Sequence, residues 1–346
     1  MGDLQETMRT GTTVLRGLPR LFDKRPIWAA LNITNKCNLS CGYCDEYDNS
    51  QPHVEETALR QRIDKCASLG TRYVSLLGGE PLLHPKMIDL VQHITDRGML
   101  SGTTTNGFLL SEERLRALKR AGLMYMQISV DSLTASGTTR KSLDRLFEKI
   151  VLLKESGIRS AVVSSVLCEE TIDEIDGVLD CCDALGVSFN FLLVHDGSGR
   201  ISYRDDRVLE KVEWFKRQKQ RGRKVVTPYS IMDYYLRSLK GQPMRWVCSA
   251  GCKYFYVSPD GELRYCSRKG TGEDLLTLSS ADLARHRDSE KGCEPDCGIT
   301  CVVQTSMLVD HPAFLLKSEL LNRSRARPWA GRPARQRTLP VLRPYE

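Results

Sequence analysis

An alternation running through residues 28–222 constrains this chain more than any other feature. Runs rich in β-branched and apolar residues at 28–33, 72–77, 101–105, 125–130, 160–167 and 188–194 read as strands. Helical patterns lie near 56–69, 86–97, 111–121, 142–156, 171–185 and 205–220. Glu112 and Glu113 suit a helical first turn behind Ser111, and Gly157 and Gly186 stand where helices commonly stop. Strands that each precede a helix demand a parallel sheet, and right-handed crossovers curl such a sheet into a barrel or part of one. The expected fold class is α/β, a partial (β/α)6 TIM-like barrel, with a small cysteine-rich C-terminal domain.

In such folds chemistry sits at the C-terminal ends of the strands. "TNKCNLSCGYC" follows the first strand, "GGEP" the second, "NG" the third and "DS" the fourth. The first of these places Cys37, Cys41 and Cys44 within eight positions. Two more groups follow, Cys248, Cys252 and Cys266, then Cys293, Cys297 and Cys301. Cys66, Cys168, Cys181 and Cys182 are scattered among apolar neighbours and read as small core residues. Thirteen cysteines behind an N-terminus with no signal-peptide core point to reduced thiols, metal ligation and a cytoplasmic location. Three thiolates stop one short of a closed tetrahedral site. Either a further ligand such as His53 completes a zinc knuckle, or one metal position is left open.

No apolar run approaches the roughly 18 residues needed to cross a bilayer. Apolar residues make up 41% of the chain and charged residues 27%, ordinary values for a globular protein. The net charge of +7 is concentrated at one end. Residues 317–346 hold Lys317 and seven arginines against Glu319 and Glu346, a net +6. That stretch reads as a partly disordered basic tail, while the nearly neutral body has no general attraction for polyanions. Four segments are expected: an N-terminal extension over 1–27, the barrel over 28–222, the cysteine-rich domain over 223–316, and the tail over 317–346.

"CNLSCGYC", with C-x3-C-x2-C spacing and Tyr43 before its last cysteine, resembles the radical S-adenosylmethionine superfamily. The resemblance spans residues 28–301. It implies that Cys37, Cys41 and Cys44 hold a [4Fe-4S] cluster whose fourth iron stays open for S-adenosylmethionine. Reductive cleavage of that cofactor would give a 5′-deoxyadenosyl radical, which abstracts hydrogen from a substrate. Gly78, Gly79 and Glu80 look like the family's GGE segment, with the acid near the cofactor's ammonium. Ser129 and Asp131 of "SVDS" are similar to its ribose-contacting motif. Asn106 matches a polar position at the third strand's end, and Arg140 falls where relatives place a cation for the methionine carboxylate. Ser164, on the fifth strand, is a further cofactor-binding candidate. An electron donor such as flavodoxin or ferredoxin is implied as well.

"CSAGCKYFYVSPDGELRYC" resembles the opening of a SPASM or twitch domain and lies close to the C-x2-C-x13-C site of the molybdenum-cofactor cyclases. The implied content is at least one auxiliary [4Fe-4S] cluster, held by Cys248, Cys252, Cys266 and one of Cys293, Cys297 or Cys301. A full SPASM domain would offer seven cysteines, against six here in different spacing. The first 27 residues are shorter than the leader-peptide reader of many peptide-maturing relatives. The expected substrate is therefore a small molecule (a sugar, nucleotide or lipid), with a peptide-modifying maturase as the alternative. The tail suits an anionic partner or a membrane surface. A non-enzymatic zinc protein whose tail binds nucleic acid stays open, but leaves the GGE and SVDS segments unexplained.

Overall fold

The computed structural model describes residues 25–323. Most of the N-terminal extension, and the tail beyond Arg323, lie outside the described residues.

The alternation is borne out. Strands β1 (Trp28–Thr34), β2 (Tyr73–Gly78), β3 (Leu100–Thr105), β4 (Leu123–Ser129), β5 (Ser160–Leu167) and β6 (Ser188–Leu193) lie side by side in sequence order. Every neighbouring pair among them is parallel. The intervening helices are α1 (Glu56–Ser68), α2 (Met87–Asp96), α3 (Glu112–Arg120), α4 (Leu143–Glu155) and α5 (Ile175–Leu185), with α6 (Asp206–Gln220) after β6. The Ser111 hydroxyl accepts the Arg114 N–H at 3.2 Å and caps α3. Gly157 and Gly186 take φ of +70° and +72° after α4 and α5, a conformation open to glycine without strain. Leu31, Val74, Met126, Ile128, Val163 and Phe191 are fully buried in the core between sheet and helices.

Helix α7 (Tyr229–Leu239) and an irregular stretch lead to β7 (Tyr254–Val257), β8 (Glu262–Cys266) and β9 (Lys269–Asp274). Strand β7 pairs with β1 in parallel, so these strands extend the barrel sheet past its first strand to nine in all. The "SPDGEL" segment is the β7–β8 hairpin turn, closed by Gly261 N–H to Ser258 O at 3.0 Å with Gly261 at φ +100°. Short helix α8 (Ser280–Arg285), then α9 (Thr300–Asp310) and α10 (Pro312–Arg323), complete the described chain. The sequence places the start of the tail at Lys317, whereas the structure carries a helix through to Arg323. "KSELLNR" contains good helix formers, and the first proline after it is Pro328.

Candidate active site

The three-cysteine loop leaves β1 at Thr34 and passes directly over the end of β2. A Cβ on Gly78 would stand 2.2 Å from Thr34 O, and one on Gly79 would stand 2.5 Å from Lys36 O. Both positions therefore exclude any larger residue, and the backbone closes the contact through Gly79 N–H to Thr34 O (2.9 Å) and Glu80 N–H to Lys36 O (2.8 Å). The glycines thus set the height of the cysteine loop above the sheet.

Glu80 is completely buried. Its carboxylate accepts from Leu82 N–H at 3.0 Å, the Thr105 hydroxyl at 2.8 Å and Asn106 N–H at 2.7 Å. Burial raises its pKa and these donors oppose the rise. A carboxylate has about four acceptor positions, so one is left beyond its protein partners. Glu80 ties the end of β2 to the end of β3. Asn106, held in turn, donates to Asn38 Oδ1 at 2.7 Å and lies 3.9 Å from Cys37 Sγ.

The other flank of the loop meets the end of β4. Asp131, fully buried, receives the Tyr43 hydroxyl, the Thr139 hydroxyl at 3.1 Å, Val166 N–H at 3.0 Å and the Lys141 ammonium at 3.2 Å. Lys141 Nζ also lies 4.9 Å from the Tyr43 ring centroid, within cation–π range. Thr139 Oγ1 is 3.8 Å from Cys41 Sγ, and Gly42 N–H bonds to Thr138 O at 2.8 Å. Burial raises the Cys37 and Cys44 thiols, opposed at Cys37 by Leu39 N–H and at Cys44 by Glu46 N–H and the charge of Lys141.

Arg140, the cation singled out from the sequence, is exposed. Its neighbour Lys141 faces the cysteines instead. Residues 131 and 132 bond to 141 and 142 in extended fashion, through Asp131 N–H to Lys141 O and a Ser132–Ser142 bridge, so adjacent side chains point opposite ways. Two consecutive cations were the available signal, but their parity is invisible in sequence. Ser129 and Ser164 are register partners on β4 and β5. The Ser164 hydroxyl is buried with no hydrogen-bond partner, which a bound polar molecule at the strand ends would supply.

In the C-terminal region Cys248, Cys266, Cys293 and Cys297 line one cavity, together with Lys269 and Lys291. The buried Lys291 ammonium bonds to the carbonyls of Cys248 (3.2 Å) and Arg287 (3.4 Å) and to that of His286. The Cys297 thiol hydrogen-bonds to Cys293, lowering Cys293 to about 7 and raising Cys297. Cys252 is buried outside the cavity lining, and Cys301, in the first turn of α9, bonds to the Tyr254 hydroxyl. Pro295 and Gly298 lie in the stretch before helix α9, which starts at Thr300, and Glu294–Asp296 forms a tight turn there. The two cysteine regions meet at Arg268, whose guanidinium bonds to Asp45 Oδ2 (2.9 Å) and Glu46 Oε1 (2.9 Å) just after Cys44. Among the described residues no three His, Cys, Asp or Glu side chains close around a point that one metal ion would occupy. No described helix is long and apolar enough to cross a membrane.

Residues 31–182 match the family model of the Radical SAM superfamily. Among curated proteins the chain is similar to the GTP 3′,8-cyclase of Aquifex aeolicus, 29% identical over 285 residues, covering 74% of this chain and 87% of that one. It is also similar to the PqqA peptide cyclase of Xanthomonas euvesicatoria pv. vesicatoria, 26% identical over 278 residues, covering 72% and 70%. Among solved structures it shares the fold of Streptococcus suis SuiB bound to the precursor peptide SuiA, with TM-score 0.62, 16% identity, and coverage of 86% of this chain and 75% of that one. A [4Fe-4S] cluster and S-adenosylmethionine are the cofactors such a domain implies, and the C-terminal cysteines are consistent with auxiliary clusters. Residues 31–182 thus carry a domain of the Radical SAM superfamily, and most of the chain shares its fold with SuiB.

Proposed function

We propose that this chain is a radical S-adenosylmethionine enzyme in which Cys37, Cys41 and Cys44 hold the [4Fe-4S] cluster, with residues 28–222 as its barrel and 223–316 as an auxiliary cluster domain. When bound, the cluster and S-adenosylmethionine supply one-electron reductive cleavage and hydrogen abstraction. The observation that carries the reading is the buried Lys141–Asp131 pair against the cysteine loop. A buried cation offsets the negative charge gathered by thiolates and sulfides, and Asp131 keeps that cation charged and aimed. Leu39 N–H and the Asn106 amide reach toward Cys37 Sγ, at 3.4 and 3.9 Å, and steady its thiolate. Gly78 and Gly79 bring the β2 end against the loop, and Ser129 and Ser164 offer hydroxyls to the cofactor's polar groups. Glu80 has one acceptor position left for the ammonium group, and we assign the carboxylate's cation to Lys141, beside the cysteine loop, in place of the exposed Arg140.

The auxiliary cluster draws its ligands from Cys248, Cys252, Cys266, Cys293, Cys297 and Cys301. The shared cavity supports Cys248, Cys266, Cys293 and Cys297 as that set, ahead of the expected one that includes Cys252. The substrate class we infer is a small molecule (a sugar, nucleotide or lipid), and similarity to a GTP 3′,8-cyclase supports its nucleotide arm. A peptide substrate is the second reading, favoured by the likeness to a PqqA peptide cyclase.

The test is anaerobic. Reconstituted, reduced protein should convert S-adenosylmethionine to 5′-deoxyadenosine and methionine, and a true substrate should raise that rate above the uncoupled level. Nucleoside triphosphates and short peptides are assayed side by side, with mass spectrometry of the added compound. Acceleration by a peptide alone replaces the small-molecule reading. A colourless protein containing zinc, with no cleavage, removes the enzyme reading altogether.

A further inference from the structure

Arg268 lies in the tight connection between β8, which ends at Cys266, and β9, which begins at Lys269. Its backbone N–H bonds to the Cys266 sulfur. Its side chain reaches the three-cysteine loop, 223 residues away in sequence at Asp45. There the guanidinium grips the Asp45 carboxylate with both Nη atoms, one of them at 2.9 Å, and meets Glu46 Oε1 at 2.9 Å. Glu46 in turn donates its backbone N–H to the Cys44 sulfur. Arg268 and Glu46 therefore each hold a cysteine sulfur by their main chain and hold one another by their side chains.

An ion pair between two exposed side chains contributes little. Here the Arg268 side chain is only 13% exposed, against 64% for Asp45 and 33% for Glu46. Its stem runs along Gly199, where an added Cβ would stand 3.6 Å from Arg268 Cγ. Gly199 O accepts the Gly298 N–H at 2.8 Å, one residue past Cys297. The stem is thus held beside the auxiliary cavity while the head is presented to the loop. The buried Nε–H has no partner among the described residues, a cost that a casual surface contact avoids. A planar, bidentate fork also fixes the direction of the carboxylate it binds, which an ammonium would not.

The charge acts with a definite sign. Asp45 and Glu46 add two anions beside Cys44, and the Arg268 cation offsets them. Net charge and hydrogen bonds to the sulfurs both set the potential of an iron–sulfur site, and a nearby cation or an N–H donor raises it by stabilising the added electron.

We propose that Arg268 is a positioning residue for the radical-generating site. From the C-terminal region it holds Asp45 and Glu46, keeps the Glu46 N–H on the Cys44 sulfur, and so sets the potential at which that site accepts its electron. The inference rests on the reading of Cys37, Cys41 and Cys44 as ligands of a [4Fe-4S] cluster.

The test is potentiometry of the reconstituted full-length holoenzyme, monitored by electron paramagnetic resonance through the cluster signal that S-adenosylmethionine alters. Arg268→Met is expected to move that midpoint to lower potential, so that at a fixed potential the ratio of reduced to oxidised cluster falls about threefold to tenfold. Asp45→Asn with Glu46→Gln should move it the opposite way, a reversal of sign that a packing defect does not produce. Arg268→Lys keeps the charge and should retain most of the wild-type midpoint. Uncoupled cleavage driven by reduced flavodoxin should fall in Arg268→Met and recover with titanium(III) citrate, a stronger reductant. Iron content checks that each variant keeps its clusters. If Arg268→Met loses its iron, the carboxylate pair decides alone. A midpoint that ignores Arg268→Met, or one that the carboxylate pair lowers, overturns the proposal and leaves the ligand reading standing. A wild type that binds no cluster removes the ligand reading and this proposal together.

Discussion

The two cysteine regions gather the same side chain in different ways. Cys37, Cys41 and Cys44 come from one loop of eight residues and are only partly buried. Cys248 and Cys252, Cys266, and Cys297 come from three separate segments and are each no more than 6% exposed. The first region keeps its geometry through what lies beneath it, the glycine contacts of β2 and the Lys141–Asp131 pair. The second keeps its geometry through the closure of the β7–β9 strands, the Glu294–Asp296 turn and Lys291. A local motif can be aimed by the scaffold below it; a cavity lined from several segments needs the chain to return several times.

The largest expected effect separates the regions outright. Alanine at Cys37, Cys41 and Cys44 together should abolish cleavage of S-adenosylmethionine and remove about four irons, leaving about four of eight in the C-terminal region. Persistent cleavage in that variant would end the assignment. The reciprocal experiment is Cys248→Ala with Cys266→Ala, which should remove the auxiliary iron and spare uncoupled cleavage. Wild-type iron near twelve would reveal a further cluster, and near four would mean that the C-terminal cysteines hold none.

A smaller effect tests what supports the open site. Lys141→Met leaves Asp131 buried and unpaired, which costs about 3–5 kcal/mol of stability. Cofactor cleavage should fall about tenfold to a hundredfold, as for other residues that steady metal ligands. Arg140→Met, one position away and exposed, should change stability by less than about 0.5 kcal/mol. Equal effects from the two would mean that the pair does not support the cysteine loop.

How far these regions were legible follows from the same contrast. The β1–β6 strands were readable because most of them are short runs rich in β-branched and apolar residues between helical patterns, and "CNLSCGYC" because its cysteines are local. The glycines of "GGEP" were legible as a close approach, though the structure shows that the nearest neighbour is the cysteine loop's own backbone. Lys141 was hidden by strand parity, and Glu80's network by contacts 25 and 26 residues away in sequence. Which C-terminal cysteines converge depends on how several loops fold back, information that spacing does not carry.

The smallest expected effect concerns pH, and each region contains a histidine whose two ring nitrogens are both committed or whose burial disfavours its charge. His84, 3% exposed, lies just past "GGEP", with Nε2 2.9 Å from Val54 O and Nδ1 3.1 Å from Lys86 N. A carbonyl can only accept and a backbone N–H can only donate, so the ring carries its proton on Nε2 and receives at Nδ1. His311, after α9, similarly receives Val247 N–H at Nε2, 2.9 Å away. Burial lowers both pKa values. Between the lowered folded value and the unfolded value of about 6.5 the unfolded chain binds more protons, so stability rises with pH there and is lost as pH falls below about 6.5. Protonation at His84 sets two donors against each other inside the segment that ties Val54 to the end of β2, at a cost on the order of 1 kcal/mol. His311 is less enclosed, so water can relieve the same conflict. Denaturation midpoints at pH 7 and near pH 5.5 should therefore converge in His84→Gln and remain nearly as far apart as in wild type in His311→Gln. An acid-induced loss of unchanged size in His84→Gln would show that the barrel side owes its pH sensitivity to other groups.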